Sequence, residues 1–341
     1  MNRRLLLGVI LWGLMWVVPL PAQTLKIATL APEGSSWMSD MRAGADKIQQ
    51  RSHGRVTFKF YGGGVQGNDR QVQRKMRTGQ LHGGAFTSGS MAKFHKNADL
   101  YALPMMFNDA DEVAYARRKL DPVLRQQLED AGYVNFGFAG GGFAYMMSNL
   151  PLRSLADLSG QKVWTPEGDI IAYAALQALG VAPVTMPLTD VMTALQTDLL
   201  NSVAVPPVGA VVLQWHTRLQ YITELPLAYV YGAILIERTA FDRIAPPDQA
   251  LVREVMQRVY RQFDEKSMAD NNHAMQALRE SGLQLVKPDL AEVQSWRGIV
   301  TDSHRQQAQA GVFDLALLDQ LQGLLDEYRH GKGRVQAVNR P

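Results

Sequence analysis

Short apolar runs alternate with amphipathic helical stretches along most of this 341-residue chain, and this alternation limits the fold more than any other feature. The first run, residues 25–30, is followed by apolar residues at helical spacing from Trp37 to Ile48 and then by a second run at 56–61. A second series starts near residues 162–165. Strands that alternate with helices of about ten residues predict βαβ units and a mostly parallel sheet. The sequence therefore predicts an α/β protein.

Three consecutive glycines, at 140–142, separate the two series, and we interpret them as a crossover between two lobes. Residues 247–281 form one uninterrupted helical pattern. At 1.5 Å per residue such a helix would be roughly 50 Å long, which is more than one lobe of this size spans. We expect it to lie across both lobes; two helices joined near Asp270 are the alternative. A further helical stretch, 109–131, is predicted to break at Pro122.

The first 22 residues have the pattern of a secretory signal peptide. Arg3 and Arg4 precede an uncharged apolar run of about fifteen residues, and the small residue Ala22 follows two prolines. A membrane anchor is the alternative, but Pro19 and Pro21 interrupt the run before it reaches the roughly 20 residues that a span needs. We therefore expect cleavage after Ala22 and a periplasmic, secreted protein.

Composition excludes several function classes. The chain has no cysteine, which rules out disulfides, thiolate zinc sites, iron–sulfur clusters and a thiol nucleophile. Removal of residues 1–22 takes away two of the 35 basic residues and none of the 32 acidic ones, leaving a net charge of +1. A nearly neutral protein has no electrostatic footprint for nucleic acid.

No motif makes a positive case for catalysis, a cofactor or a metal. Residues 62–67 satisfy the dinucleotide-binding pattern GxGxxG, but no acidic residue occurs between Asp69 and Asp99 to hold a ribose. We interpret this segment as a tight turn near a cleft. The seven histidines are scattered, and no nucleophile or acid–base constellation is present. No catalytic residue, cofactor or metal ligand is predicted.

Several ordered segments carry a family resemblance. They are residues 52–56, 61–69, 103–107, 155–163, 180–186 and, as the best single match, 190–197. The chain resembles the extracytoplasmic solute receptors of TRAP transporters, the DctP-like family, over about residues 24–330. The resemblance implies a periplasmic-binding-protein-like fold: two αβ lobes with mixed or parallel sheets, hinge strands, a ligand cleft and a long helix spanning both lobes.

The same resemblance divides the chain. The expected first lobe comprises residues 23–140 plus about 232–262, and the second lobe 141–231 plus about 263–330. Residues 331–341 form a basic tail. As partners, the resemblance implies a small-molecule ligand and TRAP membrane subunits.

The chain departs from the family pattern where typical members bind a carboxylate. Trp164 occupies the position of the arginine that forks onto the substrate carboxylate, and Ala144 that of a second arginine. The stretch 201–206, which includes Val205, replaces one whose asparagine usually faces the ligand. Neither tryptophan nor alanine can reproduce a bidentate arginine–carboxylate contact. Because burying a carboxylate without a partner costs several kcal/mol, we expect a hydrophobic or amphipathic, lipid-like ligand.

The other expected ligand-binding residues are mostly apolar and aromatic, with a few polar side chains. They are Phe143, Leu188, Trp37, Trp215 and Tyr229, with Glu167, Ser36, Thr87 and Ser88. For Trp215, a place in the ordinary core is an equal alternative.

Residues 163–169 are similar to an atypical branch of the family with apolar clefts, which is associated with TPR-repeat helper proteins. Three other functions stay open: a receptor for an organic acid bound without the usual arginine, a ligand shuttle that acts through a TPR partner, and, more remotely, an enzyme.

Overall fold

The computed structural model describes residues 22–338, with side chains described through residue 331. The predicted signal segment, apart from Ala22, lies outside the described residues, as do residues 339–341.

In the described part of the chain, strands and helices alternate as predicted. The strands are β1 (Gln23–Thr29), β2 (Val56–Tyr61), β3 (Gly83–Thr87), β4 (Tyr133–Val134), β5 (Ala139–Ser148), β6 (Trp164–Pro166), β7 (Val184–Met186), β8 (Ser202–Val205), β9 (Tyr221–Thr223), β10 (Ala228–Glu237) and β11 (Gln284–Val286). The helices are α1 (Ser36–Arg51), α2 (Asp69–Arg77), α3 (Ser88–Met91), α4 (Ala110–Asp130), α5 (Leu155–Leu158), α6 (Ile170–Ala178), α7 (Val191–Gln196), α8 (Pro207–Val212), α9 (Arg238–Phe241), α10 (Pro246–Glu280), α11 (Leu290–Gln309) and α12 (Leu315–Val338).

Two long strands connect the lobes. In the first lobe, β1 pairs in parallel with β2 and β3, and β10 runs antiparallel to β3. The first half of β5 pairs with β10, and its second half pairs with β8 and β9 in the second lobe. The small parallel sheet of β6 and β7 completes the second lobe. The predicted mixed, two-lobed α/β architecture with hinge strands is confirmed.

The predicted spanning helix is also confirmed. α10 is continuous, so the alternative of two helices is wrong. It packs against α1 in the first lobe, α8 in the second, and β5 between them.

The glycine crossover lies within a strand that both lobes share, and the break predicted at Pro122 is absent. The glycines at 140–142 lie inside β5, where the pairing with β10 shifts register next to Val230. Gly142 has φ +95°, and a Cβ there would lie 2.4 Å from the Asn271 amide on α10. Glycine at this position therefore allows α10 to pack closely against β5. α4 continues through Pro122, which is on its exposed face, where solvent can replace the lost hydrogen bond.

The C-terminal helix corrects the expected lobe assignment. Residues up to 330 were expected in the second lobe, yet α12 packs on α4 in the first. Its apolar face, which includes Leu318 and Leu321, belongs to the same buried cluster as Leu120 and Leu124 of α4. The reason is a stripe of leucines on α12 that matches the apolar face of α4. The helix also continues to Val338, past the start of the expected tail.

Candidate ligand-binding site

A deep cavity begins between the lobes and continues into the second lobe. It leaves about 240 Å³ for the centres of water-sized molecules. The first lobe contributes α3, the start of α2 and the end of β3, and the second contributes β6, α6, α11 and the turn Leu188–Asp190. The hinge strands form the wall between them. The cavity therefore lies at the junction that the strand topology creates.

Trp164 lines this cavity from β6. Its side chain is 6% exposed and meets Trp215 edge to face, with 5.2 Å between ring centroids and 80° between ring planes. Its indole N–H donates to the carbonyl of Met186 on the neighbouring strand at 3.0 Å. Because that donor is already used within the protein, the residue presents an apolar ring to the cavity.

The hinge strands present alternate residues to the cavity. Ala144 and Met146 of β5 line it, as do Ala228 and Val230 of β10. Successive side chains of a strand point to opposite faces. The residues in between, including Phe143 and Tyr229, accordingly lie on the other face of the sheet.

Eight of the twelve predicted binding residues line the cavity. They are Trp164, Ala144, Glu167, Val205, Leu188, Thr87, Ser88 and Trp215. Trp215 also belongs to the buried apolar cluster of the second lobe, so both of its expected roles apply.

The other four predicted residues lie elsewhere. Phe143 and Tyr229 meet at 5.5 Å between ring centroids and border a second cavity behind the hinge, between α4 and α10. Strand alternation is the reason that they face away. Trp37 stacks on Phe263 of α10, and Ser36 is the first residue of α1, directly after the capping Ser35. Both belong to the packing of α1 rather than to the cavity wall.

Polar side chains gather where the two lobes meet at the cavity mouth. Arg70 of α2 forms a salt bridge of 2.6 Å with Glu167 of the second lobe, and Asn68 donates to the same carboxylate at 3.5 Å. Lys93 lines the mouth as well and reaches Gly168 of the second lobe. Lys93 interacts electrostatically with the nearby Asp69 carboxyl. The glycine turn 62–67 also lies here, since a Cβ on Gly64 would lie 3.3 Å from the Thr189 side chain.

Three carboxyl groups lie around α3 beside the mouth: Asp99 is buried, and Asp69 and Asp169 are half-buried. Burial raises the pKa of Asp69, whose carboxylate accepts a hydrogen bond from Ser90. Burial, together with the nearby Asp169, raises the pKa of Asp99 well above its usual range. Burial also raises the pKa of Asp169, which caps α6 by accepting from the Ala172 N–H at 2.9 Å. Together with Arg70, Lys93 and Glu167, Asp69 and Asp169 make the mouth polar, in contrast to the interior of the cavity.

Sequence reasoning missed the mouth cations Arg70 and Lys93 and the inner wall formed by α6 and α11. The inner wall had a usable signal, because Ala172, Ala175 and Leu179 recur at helical spacing. The cations had none, since their place depends on how the lobes meet.

Two further classes of site find no support in the described part of the chain. No group of three or more His, Cys, Asp or Glu side chains within residues 22–331 could hold a metal ion. No described helix is both long enough and apolar enough to cross a bilayer.

Comparison with known proteins establishes the family. The family model of the bacterial extracellular solute-binding proteins, family 7 (DctP), matches residues 27–310. The chain belongs to this family, whose members are substrate-binding receptors for TRAP-type transport rather than enzymes.

Individual relatives are distant but extend over most of the chain. The chain is 22% identical to the sialic acid-binding periplasmic protein SiaP of Vibrio cholerae, over 79% of this chain and 84% of that protein. It is 22% identical to the C4-dicarboxylate-binding periplasmic protein DctP of Rhodobacter capsulatus, over 76% and 79%. A TRAP periplasmic solute-binding protein of Desulfovibrio salexigens, solved with bound orotic acid, superposes with a TM-score of 0.82 at 16% identity, covering 89% of this chain and 99% of that one.

Proposed function

We propose that this protein is a periplasmic TRAP receptor that closes its two lobes around an amphipathic, lipid-like solute. The observation that carries the proposal is the apolar wall of the cavity. Trp164 and Ala144 stand where a carboxylate-binding site would need cations, and the wall behind them consists of Met, Leu, Val, Ala and Trp side chains. The charged groups lie at the mouth, and the inner Thr223 hydroxyl is hydrogen-bonded within the protein.

The energetics favour such a ligand. Each Å² of apolar surface that leaves water contributes about 25 cal/mol, so a few hundred Å² contributes several kcal/mol towards binding. The carboxylate of a small acid placed against Trp164 would instead lose its hydration without a charged partner, at a cost of several kcal/mol. A ligand with an apolar body and one polar end satisfies both regions of the cavity.

Calorimetric titration with a panel of solutes tests this proposal. The panel contrasts single-chain amphiphiles, below their micellar concentrations, with succinate, sialic acid and orotic acid. We expect the amphiphiles to bind and the small acids to bind weakly or not at all. Leu188→Gln, on the cavity wall, is expected to weaken amphiphile binding about tenfold. Leu199→Gln, at an exposed position outside the cavity, is the matched control. Tight binding of a small acid alone would reject the proposal.

A receptor for an organic acid is the second candidate, favoured by Lys93 at the mouth and by the acids named for the relatives. In that case a carboxylate would bind between Lys93 and Ser88, at the mouth rather than at Trp164. Lys93→Gln would then reduce acid affinity about tenfold or more, as expected for a charge-assisted contact. Lys119→Gln, on the exposed face of α4, is the control. Equal affinities for both variants would dismiss this candidate.

Delivery of the ligand to TRAP membrane subunits, and export with removal of residues 1–22, are parts of the same proposal. Family membership and the basic–apolar N-terminal pattern support them. A TPR-repeat helper is supported by the resemblance in residues 163–169. N-terminal sequencing of the exported protein tests the cleavage, and a mature terminus other than Gln23 would contradict it. Affinity capture from detergent-solubilised membranes tests the TRAP subunits, and capture from a periplasmic extract tests the TPR helper; failure to capture either partner would contradict the corresponding part.

A further inference from the structure

We infer that the inner part of the cavity, between α6 and α11, holds the unbranched hydrocarbon tail of the ligand and sets its length. We call this part the tail channel; its lining includes Ala172, Ala175, Leu176 and Leu179 of α6 with Trp296 and Val300 of α11. The inference rests on the proposed function and specifies the class of ligand as a single-chain amphiphile.

The channel follows the axis of α6. The lining residues of this helix are spaced three, four and seven positions apart, which places them in one stripe. The stripe starts next to Asp169, the helix cap at the mouth, and ends at Leu179. At 1.5 Å per residue it is roughly 10 Å long. A single apolar stripe offers its contacts in a line, which suits an extended chain better than a fused-ring body.

The channel replaces part of the second lobe's core. One apolar cluster of this lobe contains ten buried residues, and eight of them line the cavity. They are Met105, Met146, Leu152, Leu158, Val163, Ala175, Trp296 and Val300. Protein interiors are normally filled to crystal-like density. A cluster that encloses open space instead is therefore built to be completed by an apolar guest.

Among the described residues, the side-chain donors at the inner end are already used within the protein. The Trp296 indole N–H donates to Glu292 at 3.2 Å, and the Thr223 hydroxyl donates to the carbonyl of Leu152 at 3.4 Å. Glu292 also accepts from the Leu155 backbone N–H at 3.0 Å, which fixes the wall that Trp296 forms. A carboxylate at the far end of the ligand would be buried without a free side-chain donor, so we expect the tail to end in an uncharged, apolar group.

Competition in native mass spectrometry tests the inference. The purified protein is mixed with equal amounts of n-alkanoates and n-alkanols of roughly six to eighteen carbons, and bound species are weighed. Occupancy is expected to rise about three- to fourfold per added methylene until the channel is full, and then to stop rising. The chain length at which occupancy stops rising is called the maximum, and this length, rather than the head group, is compared between variants.

Two pairs of variants locate the channel. Ala175→Leu adds atoms to the wall and is expected to shift the maximum to chains about two to three carbons shorter. Ala178→Leu, at an exposed position of the same helix, is its control. Val300→Ala is expected to shift the maximum about one to two carbons longer. Val293→Ala, on the same helix and in the same cluster but outside the cavity lining, is its control.

The outcomes separate the inference from the proposed function. Opposite shifts for Ala175→Leu and Val300→Ala, with unchanged controls, support the channel. If alkyl chains bind wild type but the preferred chain length is the same in both variants as in wild type, the channel is overturned and the receptor for an amphiphile is left standing. Failure of wild type to bind any chain overturns both.

Discussion

Trp164 illustrates how one residue can shape both the stability of a lobe and the chemistry of a site. Its ring packs on Trp215, its N–H is used by Met186, and its remaining face closes the cavity. An arginine at this position would meet the same carbonyl and ring but would leave part of its charge buried without a partner. Under the proposed function, tryptophan in place of arginine would therefore change the solute class without a change of fold.

Trp164→Phe separates the two roles. Loss of the hydrogen bond to Met186 is expected to lower the free energy of unfolding by about 1–3 kcal/mol, and the smaller ring is expected to weaken amphiphile binding about fivefold. Urea unfolding and titration calorimetry measure the two effects. Trp37→Phe serves as the control, because it makes the same change to a ring that stacks on Phe263 outside the cavity. Equal loss of binding in both variants would contradict the placement of Trp164 in the site.

His304 gives a pH prediction. It is buried on α11 and neither ring nitrogen has a hydrogen-bond partner among the described residues; burial lowers its pKa from 6.5 to about 4. As the pH falls, His304 therefore takes up a proton in the unfolded state at a higher pH than in the folded state. The folded state keeps its full stability above pH 6.5 and loses stability as the pH falls towards 4. The full loss is about 3 kcal/mol.

Urea unfolding between these pH values checks this prediction. His304→Leu should flatten the decline in stability, whereas His330→Gln, at an exposed position of α12, should leave it unchanged. Parallel declines for wild type and His304→Leu would show that the decline has another source.

Residue identities predicted the apolar chemistry of the cavity wall better than they predicted which residues line it. The apolar residues at the departures from the family pattern do line the cavity. Phe143 and Tyr229 were misplaced because a one-residue error along a strand exchanges the two faces. Lys93 could not be found, because its place at the mouth depends on contact between distant segments.

At the scale of elements, β5 and α10 form the frame that both lobes share. Asn271 of α10 joins them: its amide donates to the Gly141 carbonyl at 2.9 Å and its oxygen accepts from the Val208 N–H, at the start of α8, at 3.3 Å. Hinge strand, spanning helix and second lobe thus meet at one side chain. The fit requires Gly142, whose positive φ and bare Cα face Asn271.

Gly142→Ala tests this contact. The added methyl group clashes with Asn271 in a backbone conformation that already disfavours side chains, and we expect a loss of about 2–4 kcal/mol in the free energy of unfolding. Gly160→Ala is the matched control, since Gly160 also has a positive φ but open space around it. Its expected loss is about 1 kcal/mol. Equal losses would show that the backbone conformation alone matters.

Elements were largely predictable from local pattern. The 35 residues of α10 follow from an unbroken helical periodicity. The break expected at Pro122 was wrong, whereas the glycines of the expected crossover lie in β5, the strand that both lobes share. The Pro122 prediction used local propensity alone, and solvent exposure of the proline decided the outcome.

At the scale of the whole molecule, the lobes are in contact across the cavity mouth. Arg70 pairs with Glu167, and α3 of the first lobe packs against the cap of α6. The exposed salt bridge contributes about 0–1 kcal/mol and is screened by salt. Burial, together with the half-buried Asp169 of the second lobe, raises the pKa of Asp99 of the first lobe, so these carboxyls do not favour contact between the lobes. Under the proposed function, closure therefore depends mainly on apolar contact with the ligand.

A disulfide can test this closed arrangement, since the chain has no cysteine of its own. A Cβ on Gly89 would lie 3.0 Å from the Cβ of Asp169, near the 3.5–4.5 Å of a disulfide. We expect Gly89→Cys/Asp169→Cys to cross-link on oxidation and to stop exchange of bound amphiphile, with recovery after reduction. The single variants are the controls. Free exchange in the oxidised double variant would show that the lobes do not close at this contact.

The two-lobed plan followed from sequence because the αβ alternation and the long helix leave few other arrangements. The return of α12 to the first lobe did not, because nothing local distinguishes which lobe a leucine stripe will cover. The tail channel depends on packing between segments more than one hundred residues apart, α6 and α11, and only the folded chain brings them together.

The mass of the molecule that accompanies the protein from its own periplasm is the most direct measurement. Native mass spectrometry of the protein purified without detergent gives that mass, and solvent extraction gives its structure. We predict a single-chain amphiphile at substantial occupancy, lost on unfolding and diminished in Ala175→Leu. A small polar acid bound at full occupancy, unaffected by Ala175→Leu, would contradict the apolar receptor.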